Sequence, residues 1–359
     1  MRLLWFNLAT DLDDPVLSFT TSWIREMARR VDSIRVITMR AGRVEVPANV
    51  RVVSVGKERG FSEPRRAAVF YRELLRILGE GKVDACFSHM IPVFTVLGAP
   101  VLRALRVPIV TWYAHRQVNA LLRVAHHLSD RVASASESSY RYRRDRLVVL
   151  GHGIDTEFFS PDSTPPESSP LIVHVGRISP IKDLHTLIAA LALLRSRGRT
   201  LRLALVGEAP DRDREYAASV RRRAEELGLA GAVEFAGSVA SPLVLPWYAR
   251  AAAHVNLCQT GALDKAVLEA FACARPSLAA NEGFRETMGR WADDLLFRHG
   301  DHQDLAAKIE GLLDAGVSGR REMGDELRAR VLERHALSGL ADRLAGVLAG
   351  LARGRGRTS

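Results

Sequence analysis

Arg177 and Lys182 stand five positions apart in the stretch Val175-Gly176-Arg177-Ile178-Ser179-Pro180-Ile181-Lys182. The chemistry open to them is the capture of an anion. Arginine offers a planar fork for paired oxygens, and lysine a compact point charge. The apolar run Leu171 to Val175 reads as a strand ending at Gly176, and a helix is expected to begin near Asp183. Both cations then border a helix N-terminus, where unpartnered amides and the helix dipole add positive potential. The set suits a diphosphate whose charge must be held while it departs. An ordinary strand-to-helix loop with two solvated cations is the alternative.

Other candidates are scattered along the chain. Glu269 follows Lys265 by four positions on one helical face, so an exposed pair contributing about 0.3–0.5 kcal/mol is its plainest reading. His89 closes the strand Ala85–Ser88 and is a candidate to line a cleft at that strand's end. Asp11-Leu12-Asp13 has the spacing of a metal-binding Asp-x-Asp pair. It lies in the loop after the first strand, where hydrogen bonding or acceptor contact by Asp13 is favoured over a metal. His126 and His127 adjoin on a helix and point to different faces, which does not make a metal pair.

The elements needed to position these residues alternate between strand and helix almost throughout, as in a parallel sheet with crossover helices. Strands are expected at 2–7, 34–38, 50–55, 85–88, 109–112, 131–135 and 147–150. The Pro- and Ser-rich stretch 161–170 reads as an extended linker. The pattern then restarts, with strands at 171–175, 201–206, 233–236, 254–257 and 277–280. The expected division is residues 1–160, the linker, a second domain over 171–335, an amphipathic helix over 336–351 able to pack across both domains, and a disordered tail over 352–359. The fold class is α/β: two Rossmann-like domains facing across a cleft, where strand C-termini bind ligands.

At 359 residues the chain exceeds one typical core. Its hydrophobic content of 47% and mean hydropathy of −0.02 describe a globular protein. A net charge of +10 favours anionic partners: nucleotides, an acidic membrane surface or nucleic acid. No recognised nucleic-acid motif is present, so nucleic acid is the least favoured. Arg65, Arg66, Arg72 and Arg76 on one helix, and Tyr140-Arg141-Tyr142-Arg143-Arg144, are basic clusters suited to anionic lipid or to plain solvation. Cys86, Cys258 and Cys273 lie in apolar runs without paired spacing and read as buried thiols of a reducing compartment. The N-terminal residues read as a first strand and not as a signal peptide. The stretch 93–110 is too interrupted by Pro and Arg to span a bilayer.

Taken together, Gly176-Arg177…Lys182, Val206-Gly207-Glu208, Val233-Glu234-Phe235-Ala236-Gly237 and Gln259-Thr260-Gly261-Ala262-Leu263-Asp264-Lys265-Ala266-Val267-Leu268-Glu269-Ala270-Phe271-Ala272-Cys273-Ala274-Arg275-Pro276 resemble the nucleotide-sugar domain of family 4 glycosyltransferases. Leu150-Gly151-His152-Gly153-Ile154-Asp155 resembles the turn that closes the first domain of that family. The resemblance implies the B-type glycosyltransferase fold and a retaining, metal-independent transfer of a sugar from a nucleotide diphosphate sugar, with no cofactor. Arg177 and Lys182 match the pair that grips the donor diphosphate, with Gly176 as their turn. Glu269 matches the carboxylate that takes the ribose hydroxyls, an acceptor-only role. The amides of Leu263, Asp264 and Lys265 are expected to face the phosphates. His115, in Thr111-Trp112-Tyr113-Ala114-His115, occupies the place of the residue beside the transferred sugar.

The sequence departs from the family in two places. Gly261 stands where a first glutamate is expected, with Asp264 or Glu286 as candidates for its task. The first-strand loop, Asn7 to Pro15, lacks the family's paired glycines. The acceptor implied is a glycan, a lipid-linked glycan or a small molecule in bacterial surface polysaccharide or glycolipid synthesis, at the cytoplasmic face of the membrane. The rivals are another B-fold sugar-phosphate enzyme, an epimerase or phosphorylase, and a non-catalytic nucleotide- or glycan-binding relative.

Overall fold

The computed structural model describes residues 1–14, 17–115, 117–161, 169–239, 241–259 and 262–356. Gly261, Pro15, most of the expected linker and the last three residues of the expected tail lie outside the described residues. The chain divides into two compact units, Met1–Gly153 with Ala336–Ser359, and Ile154–His335. The break falls earlier than the Pro-Ser stretch because Ile154, Phe158 and Phe159 pack into the second core. The Ile154 amide also donates to the His335 carbonyl at 2.7 Å, tying together the two ends of the second unit.

In the first unit the elements in chain order are β1 (Arg2–Thr10), α1 (Phe19–Ala28), β2 (Ser33–Ala41), β3 (Val50–Ser54), α2 (Glu63–Gly79), β4 (Ala85–His89), α3 (Pro92–Ala104), β5 (Ile109–Trp112), α4 (Ala120–Leu128), β6 (Arg131–Ser134) and β7 (Leu147–Val149). The seven strands order as β3-β2-β1-β4-β5-β6-β7 and every adjacent pair is parallel. Alternation along β1 sets the two faces. Leu3 and Trp5 enter a core with Trp23, Ile24 and Trp112. Leu4 and Phe6 enter another with Phe70, Leu74 and Phe94.

The second unit continues with β8 (Leu171–Val175), α5 (Leu184–Ser196), β9 (Arg202–Val206), α6 (Arg214–Glu226), β10 (Val233–Gly237), α7 (Leu245–Arg250), β11 (Ala253–Asn256), α8 (Lys265–Ala272), β12 (Ser277–Ala279), α9 (Arg285–Met288), α10 (Ala292–Leu295), α11 (His302–Asp314) and α12 (Gly316–Arg334). Its five parallel strands order as β10-β9-β8-β11-β12. Strand order therefore reverses between β8 and β11, and between β1 and β4 in the first sheet. Such reversals open crevices at the strand C-termini.

The last helix, α13 (Leu337–Gly356), belongs to the first unit and runs past the expected end at residue 351. It lies against α1, and its Leu340, Leu344 and Leu348 enter the Trp5 core. Pro100 is accommodated inside α3 and does not end it. No helix among the described residues is long and apolar enough to cross a membrane.

The turn after β8 needs a close neighbour without a side chain. A Cβ at Gly207 would lie 2.0 Å from the Gly176 carbonyl oxygen, at a backbone φ of +143°. Gly207→Ala is expected to destabilise the second unit by about 1–3 kcal/mol through overpacking, read from chemical denaturation.

Candidate functional site

The crevice between β8 and β11 collects most of the candidates. Gly176 follows β8 directly, with φ +150°, and its amide donates to the Val206 carbonyl at 2.9 Å. The turn passes through Arg177, which is exposed, and Ile178, which is buried. It ends in a single helical turn, Pro180–Lys182, followed by Asp183 in the left-handed region at φ +43°. That conformation redirects the chain into α5. The first amide of α5, Leu184 N, donates to the Tyr216 hydroxyl at 2.7 Å, so this helix end is capped from within.

Lys182 turns inward. Its side chain is only 11% exposed, and its ammonium forms an ion pair and hydrogen bond with Asp264. Asp264 is the N-cap of α8, where its Oδ1 accepts from Ala266 N at 3.3 Å. Its Oδ2 also accepts from Asn256 Nδ2 at 2.9 Å. The Asn256 Oδ1 accepts from the Cys258 amide at 3.1 Å, which fixes which end of that side chain faces Asp264. Burial raises the Asp264 carboxyl, but the Lys182 charge and the hydrogen bonds outweigh it and hold the group well below the usual carboxylate range. Burial likewise pulls the Lys182 ammonium down, and the Asp264 charge more than restores it. Arg177 is near enough for its charge to oppose that of Lys182.

Farther along α8, Glu269 is half-buried and accepts from the Tyr248 hydroxyl at 3.4 Å. Burial raises its carboxyl and lowers the Lys265 ammonium one turn earlier, each opposed by the other's charge. Leu263 is buried in the second core, so its side chain supports the loop while its backbone approaches α8. Glu286 lies on α9 with an exposed side chain paired to Arg334.

The remaining candidates lie in the first unit. His89 ends β4 and is buried among the Trp23, Phe19 and Trp112 rings, at centroid distances of 5.0, 6.0 and 6.3 Å. Its Nδ1 lies 3.2 Å from Asn7 Oδ1 on the neighbouring strand. His115 is exposed on the loop after β5, and its Nδ1 accepts from the Gln117 amide at 3.1 Å. The neutral ring therefore carries its proton on Nε2, which is left to face outward as a donor. The Tyr113 hydroxyl donates to the Gln117 carbonyl at 2.9 Å and closes the same loop. Asp13 pairs with Arg43 at 2.9 Å, and Asp11 Oδ1 accepts from the Asp13 and Arg43 amides at 3.0 Å each. These aspartates thus brace the loop to Arg43.

Two residues central to the site were not read from the sequence. His174 in β8 and His254 in β11 are fully buried, stacked 6.4 Å apart behind the crevice. His174 Nδ1 donates to the Val255 carbonyl at 3.0 Å, and His254 Nδ1 lies 2.7 Å from Ser277 Oγ. Burial, then the nearby Lys182 charge, lowers His174 to about 4. Burial, then His174, lowers His254 to about 3. The available signal was a histidine among the apolar residues of each strand.

Residues 169–315 match the family described as glycosyl transferases group 1. Over these residues the chain is similar to a group 1 glycosyltransferase domain. They include Gly176, Arg177, Lys182, Asp264 and Glu269, the residues gathered at the β8–β11 crevice. D-inositol 3-phosphate glycosyltransferase of Thermomonospora curvata is 29% identical over 189 residues, 47% of this chain and 44% of that protein. A GDP-mannose-dependent alpha-(1-6)-phosphatidylinositol monomannoside mannosyltransferase of Mycobacterium tuberculosis is 31% identical over 153 residues, 38% of each. The chain thus spans under half the length of these relatives.

Solved structures match the whole glycosyltransferase architecture. Anabaena HepE in complex with UDP has a TM-score of 0.76 at 19% identity, covering 98% of this chain and 100% of that one. Sucrose-phosphate synthase of Thermosynechococcus elongatus has a TM-score of 0.79 at 17% identity, covering 98% and 99%. The fold is the B-type glycosyltransferase fold.

The two buried histidines make the domain acid-sensitive. Their folded pKa values lie below the unfolded value of about 6.5, so the unfolded chain binds protons that the folded chain refuses. Stability is then lost as pH falls below about 6.5, down to the folded values. For His174 the loss by pH 5 is roughly 2 kcal/mol. Denaturation at pH 7 and pH 5 should show this drop, reduced in a folded His254→Leu variant; an equal drop in that variant would remove His254 from the account.

Proposed function

We propose that the chain is a retaining, metal-independent glycosyltransferase that moves a sugar from a nucleotide diphosphate sugar to a hydroxyl of a glycan or lipid-linked acceptor. The observation that carries this reading is the convergence of Gly176, Arg177, Lys182 and the start of α8 at the strand-order reversal of the matched domain. HepE binds UDP, and the Mycobacterium relative is GDP-mannose-dependent, so donors of this class are known in both lines of comparison.

During transfer, negative charge grows on the departing diphosphate. Donors fixed in advance stabilise that charge without reorganising. Lys182 is held in place by Asp264, and Arg177 is free to fold onto a bound phosphate. Glu269, in its ionised form, is suited to ribose hydroxyls as an acceptor. His115 presents Nε2–H to a sugar oxygen and positions it. In the retaining route proposed, the leaving diphosphate helps to deprotonate the acceptor hydroxyl, and no protein nucleophile attacks the sugar.

A second reading, a nucleotide-binding relative without turnover, is favoured by the Asp264 carboxylate that already occupies Lys182. A thermal-shift panel of UDP, GDP and ADP and their sugars identifies the donor class by mass action. Nucleotide binding with no transfer to any acceptor would support the second reading.

For the acceptor side we propose an anionic bilayer surface, in surface polysaccharide or glycolipid synthesis at the cytoplasmic face. On α2 the arginines are largely engaged: Arg72 and Arg76 with Glu73 at 2.9 and 2.8 Å, and Arg65 over the Phe61 ring at 3.6 Å. The packed helices α3 and α4 differ. Leu121 and Val124 are exposed on α4 on either side of Arg123, and Leu105 is exposed just after α3, between Arg103 and Arg106 in sequence. Apolar side chains flanked by cations suit the headgroup region of anionic lipid.

Arg177 is the cleanest test of the donor site, because its exposed side chain leaves no buried charge behind. Arg177→Ala should lower turnover about 10²–10³-fold in a folded protein; unchanged turnover would remove it from the mechanism. In a separate assay, liposome sedimentation should rise with phosphatidylglycerol content and fall several-fold in a Leu121→Glu/Val124→Glu variant. Binding that ignores lipid charge would count against the bilayer surface.

A further inference from the structure

The Lys182–Asp264 pair has a consequence for how the crevice takes its ligand. A phosphate oxygen in this crevice would call on an ammonium and on an amide in the first turn of a helix. Here both are already engaged by one carboxylate. Asp264 Oδ2 takes the Lys182 ammonium together with Asn256 Nδ2, and Asp264 Oδ1 takes the Ala266 amide. Asn256 is itself fully buried, so the carboxylate is built in from behind.

A second feature lies at the same place. The His174 side chain is 0% exposed, and its Nε2 has no hydrogen-bond partner. Its Nδ1–H is committed to the Val255 carbonyl, so Nε2 presents a lone pair. That nitrogen would lie 3.5 Å from a Cβ placed on Gly176, and the Lys182 ammonium 3.9 Å from the same point. A neutral acceptor and the ammonium thus border one small space over Gly176. Lys182 has three donors, and the space offers it an acceptor when Asp264 lets go.

We propose that Asp264 is an internal counter-ion of the diphosphate site: its carboxylate occupies Lys182 and the first turn of α8 until a phosphate displaces it, and so sets how tightly nucleoside diphosphates are held. The inference rests on the nucleotide-sugar reading above and deepens it. Two anions competing for one desolvated cation repel each other, because little water screens them there. A donor carrying a diphosphate must therefore overcome Asp264, and the product diphosphate is expelled by the same repulsion when the sugar has left.

Asp264→Asn separates charge from capping, since asparagine is also a favoured N-cap residue. The full chain and this variant are titrated calorimetrically with UDP, GDP and ADP. The variant is expected to bind the nucleotide that the parent selects on the order of tenfold more tightly. That gain should vanish on a Lys182→Met background, where there is no cation to compete for. Equal or weaker binding by Asp264→Asn would overturn the counter-ion and leave the nucleotide reading standing. A gain that survives loss of Lys182 would overturn it too. No binding of any of the three diphosphates to either protein would overturn the nucleotide reading, and this inference with it. If Asp264→Asn does not fold, Asp264→Ser, another capping residue, carries the same expectations.

Discussion

The second unit's site depends on one ion pair, Lys182 with Asp264, formed across the reversal between β8 and β11. Burying two charges carries a large desolvation cost, and an apolar pair of similar size would stabilise the fold as well or better. The pair is therefore weak as an account of stability and strong as an account of placement. A lone lysine in this crevice would shed its proton or swing to solvent. Paired, it stays charged and fixed, with Asn256 aligning the carboxylate from the neighbouring strand end. The histidines behind it are held neutral first by their burial, and the ammonium beside His174 adds to that.

The first unit builds its reversal differently. There Asn7 of β1 lies close to His89 at the end of β4, and His89 is enclosed by aromatic rings. The exposed chemistry is carried instead by the loop after β5, where backbone hydrogen bonds through Gln117 set both the loop shape and the His115 tautomer. Packed residues at the sheet edge give rigidity, and the loop gives reach.

The sheets were legible in the sequence because parallel strands buried on both faces are short apolar runs between helical patterns. β5 and β8 begin and end where those runs do. Helix ends were less legible: α13 continues through Gly354 to Gly356, although glycine is a common helix stop. The unit boundary was misplaced because composition marks the Pro-Ser stretch, whereas packing is decided by Ile154 and the phenylalanines after it. At the site, Arg177 and Lys182 were visible through local spacing. The Asp264 partner of Lys182 was not, since 82 residues separate them and only the strand order brings them together. The basic face expected on α2 was visible as arginines, but not the Glu73 that two of them share, because a charge count does not say which charges meet.

The two cations at the crevice differ in what they lose when a ligand arrives. Lys182 is already immobilised, so it gives up little side-chain freedom but must leave, or share, a carboxylate. Arg177 is exposed, so it gives up rotamer freedom and gains a phosphate. One contribution is opposed by electrostatics and the other by entropy. A site built this way discriminates by charge more than by shape. A monoanion cannot compensate Asp264 for the loss of Lys182, whereas a diphosphate, with more charge and more oxygens, can engage both cations at once. On the proposed reading, the arrangement favours the charged half of a nucleotide sugar over a neutral glycan, and recognition of base and ribose falls to the flank of α8, where Glu269 stands one turn beyond Lys265.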